Sequence, residues 1–352
     1  MKILNSKKLT SFFVYVNGCQ QNEHDGVRIS HLLSSIGLIE TDAANSDLII
    51  AVACSVRQTA VDRIFGLVKN NQGKKIIITG CVLESDRKKF AKKDVVFWDI
   101  EKPEDLAKII GVTDSRTIQT ALDEGSKLSS SVPIMFGCNN FCTYCATAHT
   151  RGRERSRNMS AVIKDVQALI DNGKKNILLL GQTIDSYKDP ETGARLDILF
   201  TKLNELSGDF EISFLSNHPK DMTDEIIEAV AKLPKIKKEI HLPLQSGSNE
   251  ILKAMNRPYT KEQYLEIIKK IRSQSPLIEI TTDVIIGFPG ETEEDFQETV
   301  EVMDQVGYKM AYLNKYSPRA GTAAYALGDP IPHSEKQRRW RILDEVLKKT
   351  MH

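Results

Sequence analysis

Short runs of β-branched and other apolar residues recur through the first third of the chain, with helical stretches between them. Phe12–Val16, Leu48–Ala51, Ile76–Thr79 and Val95–Trp98 read as continuous apolar runs, the pattern of strands buried on both faces. Their alternation with helices predicts βαβ units and a doubly wound parallel sheet, in which ligands gather beyond the carboxyl ends of strands. Residues 121–131, ALDEGSKLSSS, are small and polar without periodicity and read as a linker. A second series then predicts strands at Val132–Phe136, Asn176–Leu180, Glu211–Leu215, Glu239–Leu242, Glu279–Ile286 and Met310–Tyr316, closed by a helix from Ser334. Six β/α units predict a partial (β/α)6 barrel whose post-strand loops build an active site. The expected organisation is a doubly wound domain over residues 1–120, a linker over 121–131 and the barrel over 132–352, an α/β chain throughout.

A length of 352 residues suits two such domains at roughly 150 residues each. Lys and Arg (48) nearly balance Asp and Glu (47), so a polyanion would be held by local basic patches and not by global attraction. The longest apolar runs, such as Leu48–Cys54, fall far short of the roughly 20 residues that span a bilayer, and no signal-peptide core is visible. A cytoplasmic monomer without membrane contact is expected. In that compartment the six cysteines are better read as metal ligands or reactive thiols than as disulfides.

Their distribution forms two sets of three. GCNNFCTYC places Cys138, Cys142 and Cys145 in one loop after the first barrel strand. Three thiolates leave one iron of a four-iron cluster open for chemistry, whereas electron-carrier clusters use four. His149, four residues after Cys145, leaves open a closed Cys3His zinc site. Cys19, Cys54 and Cys81 each follow a different predicted strand by one to three residues, so they converge on one sheet edge. Buried core cysteines have no reason to share that placement.

The motifs continue in order: NGCQQNEHD, ACSVRQTA and GCVLES in the first half, then GCNNFCTYC with TRGRERSR, LLLGQTIDSY, HLPLQSGSNEILKAMNR, DVIIGFPGETEEDF and KYSPRAGTAA. Over nearly its whole length the chain resembles the radical S-adenosylmethionine methylthiotransferases. QSGS, KAMNR and YSPRAGT are most similar to the bacterial branch that acts on dimethylallyl-adenosine in tRNA. The resemblance implies two 4Fe-4S clusters, one on Cys138, Cys142 and Cys145 and an auxiliary one on Cys19, Cys54 and Cys81. It implies S-adenosyl-L-methionine as methyl donor and as source of a 5′-deoxyadenosyl radical, with a methylthio group placed on carbon two of the adenine beside the anticodon. Such a radical is needed because that C–H bond is not acidic enough for base catalysis. The partners implied are tRNA, an electron donor such as flavodoxin or ferredoxin, and a sulfur source. Relatives acting on threonylcarbamoyl-adenosine or on a ribosomal protein are the alternatives within the family, and a non-catalytic, zinc-stabilised RNA-binding protein is the rival outside it.

Other residues follow from position. Tyr144, beside Cys145, is expected to pack on the cofactor adenine. Gly181 and Gln182 end the second barrel strand, Gln245 and Ser246 the fourth and Gly287 the fifth, where they face the cofactor or serve turns. Arg151, Arg153, Arg155 and Arg157 alternate beyond the cluster loop and could grip phosphate or carboxylate. Departures from the family pattern fall at Ala53, at residues 146–148, and at Thr183, Ile184 and Asp185, where an asparagine-rich string is usual. The small β-rich domain called TRAM, which ends most relatives, is expected to be absent.

Overall fold

The computed structural model describes residues 9–55, 58–90, 94–111 and 115–350. Val56 and Arg57 of the ACSVRQTA motif lie outside them. The chain divides into two compact units, Met1–Val132 and Pro133–His352.

The first unit runs β1 (Ser11–Val16), α1 (Gln20–Ser35), β2 (Ile39–Glu40), β3 (Leu48–Ala53), α2 (Gln58–Asn70), β4 (Lys75–Gly80), α3 (Glu84–Phe90), β5 (Val95–Phe97), α4 (Pro103–Ile110) and α5 (Ser115–Ser126). Its strands are all parallel in the order β2-β1-β3-β4-β5. The central strand LIIAVA is buried at every position. Leu48, Ile50 and Val52 pack with Ile29, Leu32 and Leu106 on one side, and Ile49, Ala51 and Ala53 with Ile64, Val68 and Phe90 on the other. Helices on both faces therefore explain the unbroken apolar run. The chain reverses direction across the sheet between β1 and β3, so the crevice beyond their carboxyl ends is a topological switch point.

The expected linker is corrected here. Residues 121–126 complete α5, and its stripe Ile118, Ala121 and Leu122 is buried against Ile29, Leu32 and Leu33 of α1. That stripe is narrow and the rest of α5 is polar, which is why the segment lacks a visible period.

In the barrel series, β6 (Ser131–Pro133) is followed by β7 (Met135–Phe136), α6 (Thr147–Arg151), β8 (Arg155–Ser156), α7 (Met159–Asp171), β9 (Asn176–Leu180), α8 (Leu196–Asn204), β10 (Glu211–Phe214) and α9 (Asp224–Lys232). Then come β11 (Glu239–His241), α10 (Asn249–Ala254), α11 (Lys261–Gln274), β12 (Glu279–Ile286), α12 (Glu293–Val306), β13 (Met310–Lys315) and α13 (His333–Thr350). The strands adjoin as β6-β9-β10 and β11-β12-β13, and a parallel bridge from Ile212 to Ile236, just ahead of β11, joins the two sets. Six strands in chain order make the open barrel. The predicted strand Val132–Phe136 is two pieces, because the chain leaves the sheet after Ile134 bonds Leu180 and β7 then pairs antiparallel with β8. Thr260 and Thr292 head α11 and α12 in reciprocal capping boxes, fixing where those helices begin.

Candidate active site

At the switch point of the first unit, Cys19 caps α1, Cys54 directly follows β3 and Cys81 directly follows β4. Asn22, fully buried in the first turn of α1, donates Nδ2–H to Asn17 O at 2.8 Å and to Ala53 O at 2.9 Å, tying the helix start to the end of β3. Cys81 N–H donates to that same Ala53 carbonyl at 2.9 Å. Gly18 turns the chain at φ +137°, and a Cβ there would stand 2.6 Å from Asn22 Nδ2 and 2.8 Å from Cys54 Cβ. Ser55 Oγ accepts Leu83 N–H at 3.2 Å and joins the β3 and β4 loops. The three cysteines thus share one corner, with Cys54 and Cys81 buried and Cys19 exposed.

The loop from Gly137 to Cys145 follows β7. Gly137, at φ +73°, presses so closely on the following segment that a Cβ would stand 2.1 Å from Arg153 O. Phe141 is held at φ +48° by Asn256, whose Nδ2 donates to Asn140 O at 3.2 Å and Phe141 O at 3.1 Å. Thr143 N–H donates to Met255 O at 3.0 Å, and Ala324 N–H to Thr143 O at 2.8 Å. A small loop is thereby clamped by distant parts of the barrel.

Each sulfur of this loop receives donors. Cys138 Sγ lies 3.2 Å from Thr183 Oγ1 and accepts Asn140 N–H at 3.4 Å; Cys145 Sγ accepts Thr147 N–H at 3.4 Å; Cys142 Sγ accepts Arg257 Nη1–H at 3.7 Å. Burial raises the Cys145 pKa above its ordinary value, the donors from Thr147 oppose that, and the charges of Cys142 and Cys138 add to it. Three mutually repelling sulfurs ringed by donors suit a cationic metal assembly, which takes thiols in their deprotonated form. Among the described residues no three Cys, His, Asp or Glu side chains close on a single metal-ion position. A tetrahedral zinc at about 2.3 Å from each sulfur needs sulfurs about 4 Å apart, so the Cys138, Cys142, Cys145 and His149 zinc set is not assembled. His149 instead packs edge-on against Phe141 at 6.4 Å. The donors that surround all three sulfurs fit thiolates held to a metal cluster.

The neighbouring strand ends supply buried polar atoms without hydrogen-bond partners: Gln182 Oε1 and Asp185 Oδ1 after β9, Asn217 Oδ1 and His218 Nε2 after β10, and Gln245 Oε1 after β11. An orphaned buried polar group costs about 1–3 kcal/mol, so this concentration at one mouth of a barrel fits a polar ligand. His218 Nδ1 accepts Lys220 N–H at 3.2 Å, which leaves the proton on Nε2. Burial, helped by the charges of Arg257 and Lys220, lowers the His218 pKa to about 2. Asp185, fully buried, accepts His218 N–H at 2.7 Å, and burial raises its carboxyl well above the ordinary range. Burial opposes the charge of Arg257, but Tyr259, Tyr144 and Cys142 outweigh it and raise its pKa.

Residues 132–303 match the Radical SAM superfamily, and residues 11–98 match the Uncharacterized protein family UPF0004. The tRNA-2-methylthio-N(6)-dimethylallyladenosine synthase of Clostridium botulinum (strain Langeland) is 38% identical over 98% of this chain and 84% of its own length. That of Alkaliphilus oremlandii is 40% identical over 98% of this chain and 80% of its own. This chain belongs to the tRNA-2-methylthio-N(6)-dimethylallyladenosine synthase family. The fold also resembles that of the radical S-adenosylmethionine methyltransferase TsrM of Kitasatospora setae, with a TM-score of 0.59 at 10% identity, covering 91% of this chain and 77% of that one. The cobalamin-dependent radical enzyme OxsB gives 0.58 at 13% identity, covering 96% of this chain and 56% of its own.

Within this synthase-family chain the other sequence candidates fall into two groups. Tyr144 is half-buried beside Ile251, Met255, Phe288, Tyr316 and Ala324, next to the cysteines. Gln182 and Gln245 present the orphaned oxygens already described, and Gln245 sits at φ +66°. Turn and packing chemistry claims the rest. Met135 fills the space beside Gly181; Ser246 Oγ accepts Ser248 N–H at 3.2 Å; Gly287 N–H donates to Glu291 Oε2 at 2.8 Å. Of the arginines, Arg157 is committed to Pro133 O and Asp165 Oδ2, both at 2.7 Å. Arg153 lies over the Phe141 ring at 4.4 Å, Arg155 is exposed in β8, and Arg151 is half-buried in α6. Sequence reasoning missed Arg257, His218 and Asp185 as parts of the site, although Arg257 ends the quoted KAMNR motif and His218 follows a strand end.

Proposed function

We propose that the protein is a tRNA methylthiotransferase, adding a methylthio group at carbon two of dimethylallyl-adenosine beside the anticodon. The observation that carries this is the clamped Cys138, Cys142 and Cys145 loop beside orphaned polar groups at the carboxyl ends of barrel strands. Near-full-length identity to the family supports the substrate. A radical SAM protein uses a 4Fe-4S cluster with S-adenosylmethionine, which together supply a 5′-deoxyadenosyl radical for hydrogen abstraction.

The chain's own residues bind and orient. Cys138, Cys142 and Cys145 hold the cluster, and Arg257 sets a buried positive charge against their negative one. Gln182, Asp185, His218 and Gln245 face the polar end of S-adenosylmethionine, with the His218 Nε2–H as a fixed neutral donor. Tyr144 walls the pocket with its apolar ring and excludes water. Cys19, Cys54 and Cys81 hold a second cluster that carries the sulfur to be transferred. The remaining partners are an external one-electron donor of the flavodoxin or ferredoxin kind and a sulfur source. The protein is read as acting on tRNA in the cytoplasm, as a monomer; among the described residues no helix is long and apolar enough to cross a membrane.

The test is mass spectrometry of tRNA nucleosides from a host lacking its own methylthiotransferase, with and without this gene. Methylthio-dimethylallyladenosine is expected only with the gene. Unmodified precursor in cells whose protein carries its iron would overturn the substrate assignment.

A further inference from the structure

Thr183 stands just beyond β9 and is 2% exposed. Its Oγ1 lies 3.2 Å from Cys138 Sγ, and Asn140 donates Nδ2–H to that same oxygen at 3.3 Å. With one lone pair taken by Asn140, the hydroxyl proton is free to point at the sulfur. A metal-bound thiolate has no proton to give, so in the loaded protein Thr183 is the donor of this bond. Among the described residues the other donors to the three sulfurs are backbone N–H groups, the Thr147 side chain at Cys145 and the Arg257 guanidinium at Cys142. Thr183 therefore supplies a neutral side-chain bond to a cluster ligand. Hydrogen bonds to cluster sulfurs draw charge from them and favour the electron-rich state, which makes them a lever on reduction potential.

We infer that Thr183 sets the reduction potential of the cluster held by Cys138, Cys142 and Cys145, raising it through an O–H···S bond to Cys138. The inference rests on the reading that these three cysteines hold a 4Fe-4S cluster. It concerns when the cluster accepts its electron and leaves the identity of the RNA substrate untouched.

The test is an anaerobic redox titration followed by electron paramagnetic resonance, on holoprotein in which Cys19, Cys54 and Cys81 are replaced by Ala so that one cluster reports. Thr183→Val is expected to shift the midpoint to more negative potential. Poised at the parent midpoint, its reduced-to-oxidised ratio should fall about fivefold, the size of one lost net hydrogen bond. Thr183→Ser keeps the hydroxyl and is expected to titrate with the parent. A Val variant that titrates with the parent would overturn the inference. Should the Val variant bind no iron, Thr183→Ala removes the hydroxyl without placing a methyl beside the sulfur, and the same two outcomes decide. Iron bound by the parent and by Ser but by neither hydroxyl-free variant would also overturn it, because the hydroxyl would then be holding the cluster and not tuning it. A parent protein without iron would sink the cluster reading itself.

Discussion

Arg257 Nη1 lies 3.7 Å from Cys142 Sγ, while its other donors go to the Tyr259 hydroxyl at 3.0 Å and Pro243 O at 3.0 Å. Among the described residues no carboxylate pairs with this buried guanidinium, so the thiolate set is its counter-charge. An unpaired buried charge is costly, which makes the residue a liability in the empty protein and an asset in the loaded one. Arg257→Met should leave the unfolding temperature of the iron-free protein unchanged or raised, and accelerate loss of iron to a chelator by about 10- to 100-fold in the loaded protein. Differential scanning calorimetry and chelation kinetics check the two halves. Equal destabilisation of both states would refute the pairing.

The two cysteine sets should separate genetically. Cys142→Ala is expected to abolish formation of 5′-deoxyadenosine while leaving the iron at Cys19, Cys54 and Cys81. Cys54→Ala should still cleave S-adenosylmethionine yet transfer no methylthio group. Iron analysis with chromatography of both products reads the outcome, and full transfer by the Cys54 variant would remove the first unit from the chemistry.

His218 carries a pH signature. Its pKa falls from an ordinary 6.5 to about 2 on folding, so its contribution to stability is complete above pH 6.5 and is lost as pH drops below that value. The slope should approach about 1 kcal/mol per pH unit below pH 6. His218→Gln, which cannot ionise, should flatten the decline of unfolding free energy between pH 7.5 and 5. Urea unfolding at a series of pH values measures it, and parallel curves for the two proteins would refute the assignment.

Two glycines in the first unit should respond with opposite signs. Gly18→Ala places a methyl 2.6 Å from Asn22 and 2.8 Å from Cys54 at φ +137°, and should cost about 2 kcal/mol or more while displacing Cys54. Gly66 lies within α2, where an added methyl would meet nothing within 4 Å, so Gly66→Ala should stabilise by about 0.5–1 kcal/mol. Denaturant midpoints distinguish them, and a neutral Gly18→Ala would show that the corner is looser than its contacts imply.

Much of the fold is readable along the chain because its strands are buried on both faces. LIIAVA at β3 and EITTDVII at β12 carry β-branched residues on both faces, and turn residues mark their ends. The placement of Cys19, Cys54 and Cys81 was legible for the same reason: each sits just past the end of a readable strand. The end of α5 was not, because only Ile118, Ala121 and Leu122 of its surface need be apolar. Arg257, Asp185 and His218 were illegible for another reason. Each belongs to a different loop, and the contacts that give them meaning join residues dozens of positions apart. Ser246 and Gly287 show the converse: a strand-end position alone does not separate ligand contact from turn chemistry, since their bonds to Ser248 and Glu291 are invisible until the chain is folded.

The clamp on the Gly137–Cys145 loop has a consequence for biogenesis. Its anchors at Ala254 and Asn256 lie 111 to 116 residues downstream of Thr143 and Asn140, and Ala324 lies farther still. A ribosome that has translated all three thiols has yet to make the groups that position them, whereas the first unit is already complete. The cysteines of the second unit therefore pass through most of its synthesis as unshielded nucleophiles. Metal delivery there is an event of the finished polypeptide, and exposure to oxidant during translation is the hazard that the arrangement leaves open.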